Sequence, residues 1–202
     1  KYQNVSKEES KDFVEMMLSD TARLSGLIEN ILQSSKAEPK SMELQTSKVN
    51  LAKFLSEIVE DHKRQFEEKK CEVKLQFEAS PVLTLDKKAL QMVFNNLIGN
   101  ALRYSPVEST LQITLHRAGR FWEIDFADQG IGFEKKDMKK IFKKFYRVQN
   151  EDTQNIEGAG LGLFISREII KNHKGKIKVV SPGRGKGAVF TVSLPVSRGL
   201  AV

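Results

Sequence analysis

Two asparagines and an arginine at helical spacing are the first residues that could do chemistry. Asn96 and Asn100 are four residues apart, and Arg103 follows three residues later in a segment that we expect to be helical. Side chains at this spacing share one face of a helix. Neutral amide oxygens can hold Mg²⁺, which keeps most of its waters, while a guanidinium reaches a phosphate. The alternative is a solvated polar flank.

A carboxylate follows an alternating apolar strand at residues 120–127, and Asp128 falls in phase with Phe126 on its apolar face. A carboxylate in that position is costly unless it is hydrogen-bonded, and an exocyclic amine such as N6 of adenine is a suitable partner. Gly130 and Gly132 come next, and their missing side chains would let a flat ring lie against the backbone. The alternative is an Asp-Gly turn that simply ends the strand.

A glycine-rich run lies directly before another predicted helix. It consists of Gly158, Ala159, Gly160, Leu161, Gly162 and Leu163. Glycines let successive N–H groups converge, and a helix N-terminus adds positive potential, so the run could hold a phosphate. Its spacing matches neither the P-loop nor the dinucleotide-binding fingerprint. A flexible glycine turn is the alternative.

Between these motifs, residues 135–147 combine aromatic with basic side chains, including Phe142 and Phe145 among seven Lys and Arg. A polar stretch follows at 150–157. An aromatic anchor beside a polar loop that ends in glycine is what a nucleotide lid needs. The alternative is a basic surface helix followed by an ordinary loop.

Secondary-structure elements must position these groups. Asn50 and Asp86 are predicted N-caps of helices at 51–68 and 87–104, and a third helix is predicted at 161–172. Apolar alternation predicts strands at 43–48, 72–78, 82–85, 110–117, 120–127, 176–180 and 188–194. Strands that pair mostly as hairpins, with helices grouped between them, indicate an α+β fold, a two-layer sandwich.

The N-terminal part has a different pattern. The 3.5-residue period of a coiled coil is followed by Val14, Met17, Thr21, Leu24, Ile28 and Ile31, which are apolar except for Thr21, so a long helix is predicted at 7–36. An amphipathic helix lying on the following domain is the alternative. Pro39 ends it, which predicts a partial helical domain at 1–38, a linker at 39–42 and a second domain at 43–202.

Composition excludes several classes of protein. The chain has 202 residues, of which 40% are hydrophobic and 29% charged, which excludes disordered and fibrous chains. No apolar run approaches the roughly 20 residues of a membrane span. The single cysteine, Cys71, excludes a disulfide framework and fits a reducing, cytoplasmic compartment. The chain begins at Lys1 without a signal peptide, so we expect a piece of a longer protein.

The net charge of +7 either serves solubility or indicates a polyanionic partner. Residues 1–40 hold 6 basic and 7 acidic side chains, so the remainder carries 27 − 19 = +8. No recognition helix or basic strand with interleaved aromatics is present, which argues against nucleic acid. We therefore expect a nucleotide to be the anionic ligand.

The order of these motifs resembles the catalytic ATP-binding domain of a sensor histidine kinase. The resemblance covers about residues 43–196 and implies the Bergerat fold shared with gyrase, Hsp90 and MutL ATPases, with a mixed, mostly antiparallel sheet and helices on one face. The asparagine box, first glycine box, phenylalanine box, second glycine box and a variant third glycine box correspond to residues 96–105, 128–132, 142–147, 158–163 and 185–190.

The resemblance implies a role for each motif. Asn100 would coordinate Mg²⁺ with Asn96 close by, and Asp128 would bind the adenine amine. The remaining ATP-binding residues would be Arg103, Tyr104, Gly130, Gly132, Phe142, Phe145, Gly158, Gly160, Leu161, Gly162 and Leu163. One departure is Ala188-Val189, which replaces the small hydroxyl pair usual in the third glycine box.

The implied activity is transfer of the ATP γ-phosphate to a histidine, followed by relay to an aspartate in the receiver domain of a response regulator. Residues 24–32 resemble the second helix of the dimerisation hairpin, so the acceptor histidine would lie on a first helix outside this chain. Neither His62 nor His116 nor His173 is followed by the family's acidic residue and Arg-Thr-Pro, so all three are expected to be structural or surface residues.

Several expectations follow from this resemblance. The chain alone would not autophosphorylate, and the full-length protein would be a homodimer, commonly anchored in a membrane. Two alternatives stay open: a module that binds nucleotide without turnover, and an anti-sigma-type serine kinase, which usually lacks the leading helix.

Overall fold

The computed structural model describes residues 44–148, 153 and 159–196. The predicted helix at 7–36, the linker at 39–42, Gly158 and most of the predicted lid lie outside these residues. Within the described part, no helix is long and apolar enough to cross a membrane.

Five helices and seven strands make up the described chain. The helices are α1 (Leu51–Asp61), α2 (Lys63–Lys69), α3 (Lys87–Tyr104), α4 (Lys135–Met138) and α5 (Gly162–Asn172). The strands are β1 (Ser47–Asn50), β2 (Glu72–Phe77), β3 (Val82–Leu85), β4 (Thr110–Ala118), β5 (Phe121–Asp128), β6 (Lys176–Val180) and β7 (Ala188–Pro195).

The main sheet has five strands in the order β2-β4-β5-β7-β6. Strand β2 runs parallel to β4, and every other neighbouring pair is antiparallel. Strands β1 and β3 form a separate antiparallel pair. The predicted α+β class with a mixed, mostly antiparallel sheet is confirmed.

Two details of the prediction were wrong. The helix predicted at 51–68 is interrupted at His62, whose φ of −96° and ψ of 2° separate α1 from α2. The strand predicted at 43–48 is Ser47–Asn50, because its pairing with β3 sets its limits and buries Val49 opposite Leu83. Asn50 does cap α1 as predicted, since its Oδ1 accepts a hydrogen bond from the Lys53 amide at 3.0 Å.

Helix α3 is the central element of the helical layer. Its bounds are those predicted, and Asp86 caps it by accepting a hydrogen bond from the Ala89 amide at 3.0 Å. Phe94 is fully buried, with its ring centroid 5.8 Å from Phe54 of α1 and 5.7 Å from Phe126 of β5. It therefore joins the helical layer to the sheet.

Replacing Phe94 with alanine should lower the free energy of unfolding by about 3–5 kcal/mol, because the cavity would open between the two layers. Phe145→Ala is a matched control, since that side chain is 68% exposed. The control should change stability by less than about 0.5 kcal/mol. Urea denaturation of both variants measures the difference, and equal losses would contradict the assignment of Phe94 to the centre of the core.

Candidate functional site

The first part of the site is the flank of α3 beside its buried stripe. Asn96 is half-buried, and its Nδ2 donates a hydrogen bond to Ser166 Oγ of α5 at 3.0 Å. A Cβ built on Gly162 would collide with Asn96 Oδ1. Glycine at 162 therefore allows the first turn of α5 to approach the asparagine.

One turn further along α3, Asn100 is half-buried and Arg103 is exposed. Neither side chain hydrogen-bonds to another residue of the described chain. The amide oxygen of Asn100 and the guanidinium of Arg103 are thus available to a ligand at the same end of the helix.

The carboxylate of Asp128 is held by backbone amides. Its Oδ1 accepts hydrogen bonds from Gly130 N at 2.8 Å and Ala188 N at 3.2 Å. Burial raises the pKa of Asp128, and these two hydrogen bonds oppose the shift. Its Oδ2 has no hydrogen-bond partner in the part of the chain that the structure describes, so it can accept one from a ligand.

The glycines after Asp128 are explained by close packing within the protein. Gly132 has a φ of +64°, and a Cβ there would lie against Ser181 Oγ and the Gly183 carbonyl. A Cβ on Gly130 would lie 2.9 Å from the carbonyl oxygen of Tyr104. Packing within the protein therefore already requires glycine at both positions. That a flat ring lies against the backbone here stays a prediction.

Ser181 connects the two glycine loops and was not identified from the sequence. Its hydroxyl accepts a hydrogen bond from Phe133 N at 3.0 Å and donates one to the Gly187 carbonyl at 2.7 Å. Gly187 N in turn donates to the Gly130 carbonyl at 2.9 Å. The sequence shows only a serine directly after the predicted strand at 176–180, and this becomes informative only when its partners are known.

The third glycine segment contributes to the site through its backbone. Ala188 donates its N–H to Asp128, and the contact does not depend on the side chain at that position. Gly185 N also donates to the Ile131 carbonyl at 2.7 Å. The departure at Ala188-Val189 therefore leaves this contact to Asp128 in place.

The second glycine run packs on the phenylalanine segment. Gly160 has a φ of +68°, and its carbonyl accepts a hydrogen bond from Phe145 N at 3.0 Å. Leu161 is buried, and its side chain belongs to the core. Helix α5 begins after it without a side-chain cap, and the first N–H groups of a helix have no partner within the helix. Leu163 is half-buried on that first turn.

The two phenylalanines predicted beside the lid lie in different environments. Phe142 is buried in the core, whereas Phe145 is exposed with a φ of +61°. Tyr146 anchors the segment because its hydroxyl donates to Asp137 at 2.6 Å, and this bond raises the pKa of Tyr146 to about 12. Phe142 and Tyr146 thus hold the segment to the domain, and Phe145 is presented to solvent.

Contacts join the five motifs into one site. Asn96 contacts Gly162, and Tyr104 O accepts a hydrogen bond from Ile131 N at 3.1 Å. The first and third glycine segments meet at Ser181, and the second glycine run meets the phenylalanine segment at Gly160. The result combines an open helix N-terminus, a neutral amide oxygen and a carboxylate with a spare oxygen. This set of groups suits an anionic nucleotide.

The family model for histidine kinase-, DNA gyrase B- and HSP90-like ATPases matches residues 85–198. The chain belongs to this family. Residues 85–198 contain all five of the motifs.

Sensor histidine kinases are among the similar proteins, as the resemblance implied. WalK of Bacillus subtilis is 31% identical over 193 residues, a match that covers 93% of this chain and 31% of WalK. SenX3 of Mycobacterium tuberculosis is 29% identical over 188 residues, which is 93% of this chain and 46% of SenX3. The chain therefore spans less than half the length of each of these relatives.

Solved histidine kinases share the fold. Full-length ShkA in complex with AMPPNP matches with a TM-score of 0.81 and 22% identity, over 96% of this chain and 40% of ShkA. ThkA in complex with the response regulator TrrA matches with a TM-score of 0.75 and 22% identity, over 94% of this chain and 52% of that chain.

Asp128→Asn should weaken nucleotide binding by about 10–100-fold, because a hydrogen bond to a charged acceptor contributes about 1.5–3 kcal/mol. The asparagine oxygen can still accept from Gly130 and Ala188, so the melting temperature at neutral pH should be unchanged or higher. Calorimetry with Mg²⁺-ADP and thermal melts measure both quantities.

The pH dependence follows from the raised pKa of Asp128. Because the folded protein disfavours the ionised carboxyl, ionisation of Asp128 lowers the free energy of unfolding at pH values above the raised pKa. This loss of stability fades as the pH falls through that pKa. The melting temperature of Asp128→Asn minus that of the unsubstituted chain should therefore shrink under acid. A large loss of stability in Asp128→Asn at neutral pH would instead indicate that the carboxylate is a structural group.

Gly162→Ala should weaken nucleotide binding by about fivefold, the equivalent of one ordinary hydrogen bond, because Asn96 must turn away from Ser166. Gly99→Ala is the matched control, since a Cβ there meets nothing within 4 Å. The control lies inside α3 and should gain about 0.5–1 kcal/mol in stability with unchanged affinity. Equal affinities for the two variants would show that the Asn96 contact does not matter for the ligand.

Proposed function

We propose that this chain is the ATP-binding catalytic part of a sensor histidine kinase, with residues 1–38 as the second helix of its dimerisation hairpin. The observation that carries the proposal is the contact of all five motifs around one site, in a chain that sensor histidine kinases match over nearly its whole length. The activity, the acceptor and the partners belong to the longer protein and are part of the proposal.

Asn100 is the residue that fits Mg²⁺. Its amide is half-buried at the edge of the core and makes no hydrogen bond within the described chain, so its hard, neutral oxygen is free to bind. No group of three or more His, Cys, Asp or Glu that could hold a metal occurs among residues 44–148, 153 and 159–196. An ion at Asn100 would thus take most of its ligands from water and phosphate, as Mg²⁺ does at nucleotide sites.

Asn96 supports this position. Its Nδ2 is engaged by Ser166, which directs its Oδ1 toward the N-terminus of α5. The two asparagines therefore line the side of the site where the phosphates would lie. When bound, Mg²⁺ supplies positive charge that neutralises the phosphate oxygens.

The phosphates and the base have separate partners in the chain. The N–H groups from Gly160 to Leu163 and the guanidinium of Arg103 carry positive potential to the phosphates. The spare oxygen of Asp128 accepts a hydrogen bond from the adenine amine. Tyr104 lies beside the first glycine loop and flanks the nucleotide.

Phosphoryl transfer needs mainly positioning and charge stabilisation, which these residues provide. A histidine nitrogen on the acceptor helix attacks the γ-phosphorus, a P–N bond forms, and the bond to the ADP oxygen breaks. The histidines of this chain do not suit that role. His173 is buried, with both ring nitrogens engaged, and His62 and His116 have local partners on α1 and on the open face of the sheet.

The proposed partners are the acceptor hairpin of the same protein, a second subunit, and the receiver domain of a response regulator. The structure of ThkA, a protein with this fold, in complex with its response regulator supports the last of these. A nucleic acid is not among them.

The purified chain should bind Mg²⁺-ATP but acquire no acid-labile label from γ-labelled ATP, because the acceptor histidine is absent. A hairpin fragment of the parent protein that carries the acceptor helix should become labelled in trans. The same hairpin with its acceptor histidine changed to glutamine is the control and should stay unlabelled.

Each failure of this experiment has a separate meaning. Stable label on the chain alone would place an acceptor within it and contradict the proposed division of labour. ATP binding without label on the hairpin would make the chain a nucleotide-binding module without turnover.

A further inference from the structure

Asp86 lies at a junction of three separate segments and is only 9% exposed. Its Oδ1 caps α3 through Ala89 N, and its Oδ2 accepts a hydrogen bond from Gln45 N at 2.9 Å. Its own N–H donates to His173 Nε2 at 3.1 Å, at the end of α5. One residue thus holds the backbone at Gln45, the start of α3 and the end of α5.

His173 can accept this hydrogen bond because its other nitrogen is the donor. Nδ1 lies 2.8 Å from the Ile169 carbonyl, and a carbonyl oxygen can only accept. Nδ1 therefore carries the hydrogen, and Nε2 presents its lone pair to the Asp86 amide. The imidazole is 7% exposed, so water does not compete for either bond.

The two helices joined here are the helices of the nucleotide site. Helix α3 carries Asn96 and Asn100, and α5 begins with Gly162. The Asn96–Ser166 hydrogen bond connects them midway, and the Asp86–His173 bond connects them at the end remote from the first turn of α5. Because Gln45 attaches to that second connection, a shift of Gln45 relative to Asp86 is a shift relative to both helices.

We propose that Asp86 is a positioning residue that couples the backbone at Gln45 to the nucleotide site. Nucleotide binding would hold α3 and α5 together and so strengthen the Gln45–Asp86 hydrogen bond, and by linkage that bond would strengthen nucleotide binding by the same factor. This inference rests on the proposed function, because it requires that a nucleotide bind between these helices. Through Asp86, the backbone at Gln45 would thus be coupled directly to ligand binding.

The test measures the hydrogen exchange rate of the Gln45 amide by NMR, on the 202-residue chain with and without Mg²⁺-ADP. The nucleotide should slow exchange of the Gln45 amide by about fivefold, at the low end of ordinary allosteric coupling. A purely structural role for Asp86 would protect Gln45 equally with and without nucleotide. An unchanged rate in a chain that binds Mg²⁺-ADP would overturn the inference and leave ATP binding intact.

Asp86→Ser separates the cap from the coupling. Serine is a good N-cap, so Ala89 N keeps an acceptor, but its single short hydroxyl cannot also reach Gln45. Exchange at Gln45 should become fast and insensitive to Mg²⁺-ADP, and the dissociation constant should rise by the same factor of about five. Asn50→Ser, a similar change at the cap of α1, is the matched control and should alter neither measurement.

The outcomes distinguish this inference from the proposed function. If the unsubstituted chain fails to bind Mg²⁺-ADP by calorimetry, both are wrong. If it binds and Asp86→Ser retains full affinity, only the coupling is wrong. The exchange measurement on the unsubstituted chain remains decisive if Asp86→Ser does not fold.

Discussion

The rotation of α3 about its own axis is the constraint on which the site depends. Phe94, fully buried between α1 and the sheet, belongs to an apolar stripe that must face the core. Once that stripe is buried, the direction of the neighbouring flank is fixed. Asn96 on this flank meets Ser166 of α5, and Asn100 lies one turn further along the helix. Hydrophobic burial, which has no directionality of its own, thereby gives two polar side chains a defined direction.

The rest of the site is built largely from backbone groups in close contact. Gly132 and Gly187 approach the chain around Asp128 and Ser181 so closely that a Cβ at either would collide with protein atoms. Such packing leaves buried N–H and carbonyl groups that need partners, and the Ser181 hydroxyl supplies several of them. Asp128 is the exception, because it is a side chain whose burial raises its pKa. Its Oδ2 has no hydrogen-bond partner in the described chain and can accept a hydrogen bond from a ligand. A group held at some cost to stability is typical of functional sites.

Much of the fold could be predicted because its signals are local. The caps at Asn50 and Asp86, the apolar stripe of α3 and the alternation in β4 and β5 depend on residues close together in the chain. The break at His62 was missed because the apolar spacing continues across it. Phe142 and Phe145 show the same limit, since both are aromatic residues among lysines, yet one is buried and the other exposed.

Local signals in the sequence predicted most of the helices and strands, and the order of the motifs indicated the family of ATPases. Which polar groups find partners depends on the tertiary structure. Asp128 meets Ala188 across 60 residues, and Asp86 meets Gln45 across 41 and His173 across 87. Local periodicity carries no information about such contacts, because a hydrogen bond between distant segments exists only after packing has brought their backbones within about 3 Å. The site and its connection to Gln45 therefore result from packing. The sequence supplies only the side chains and backbone groups that take part.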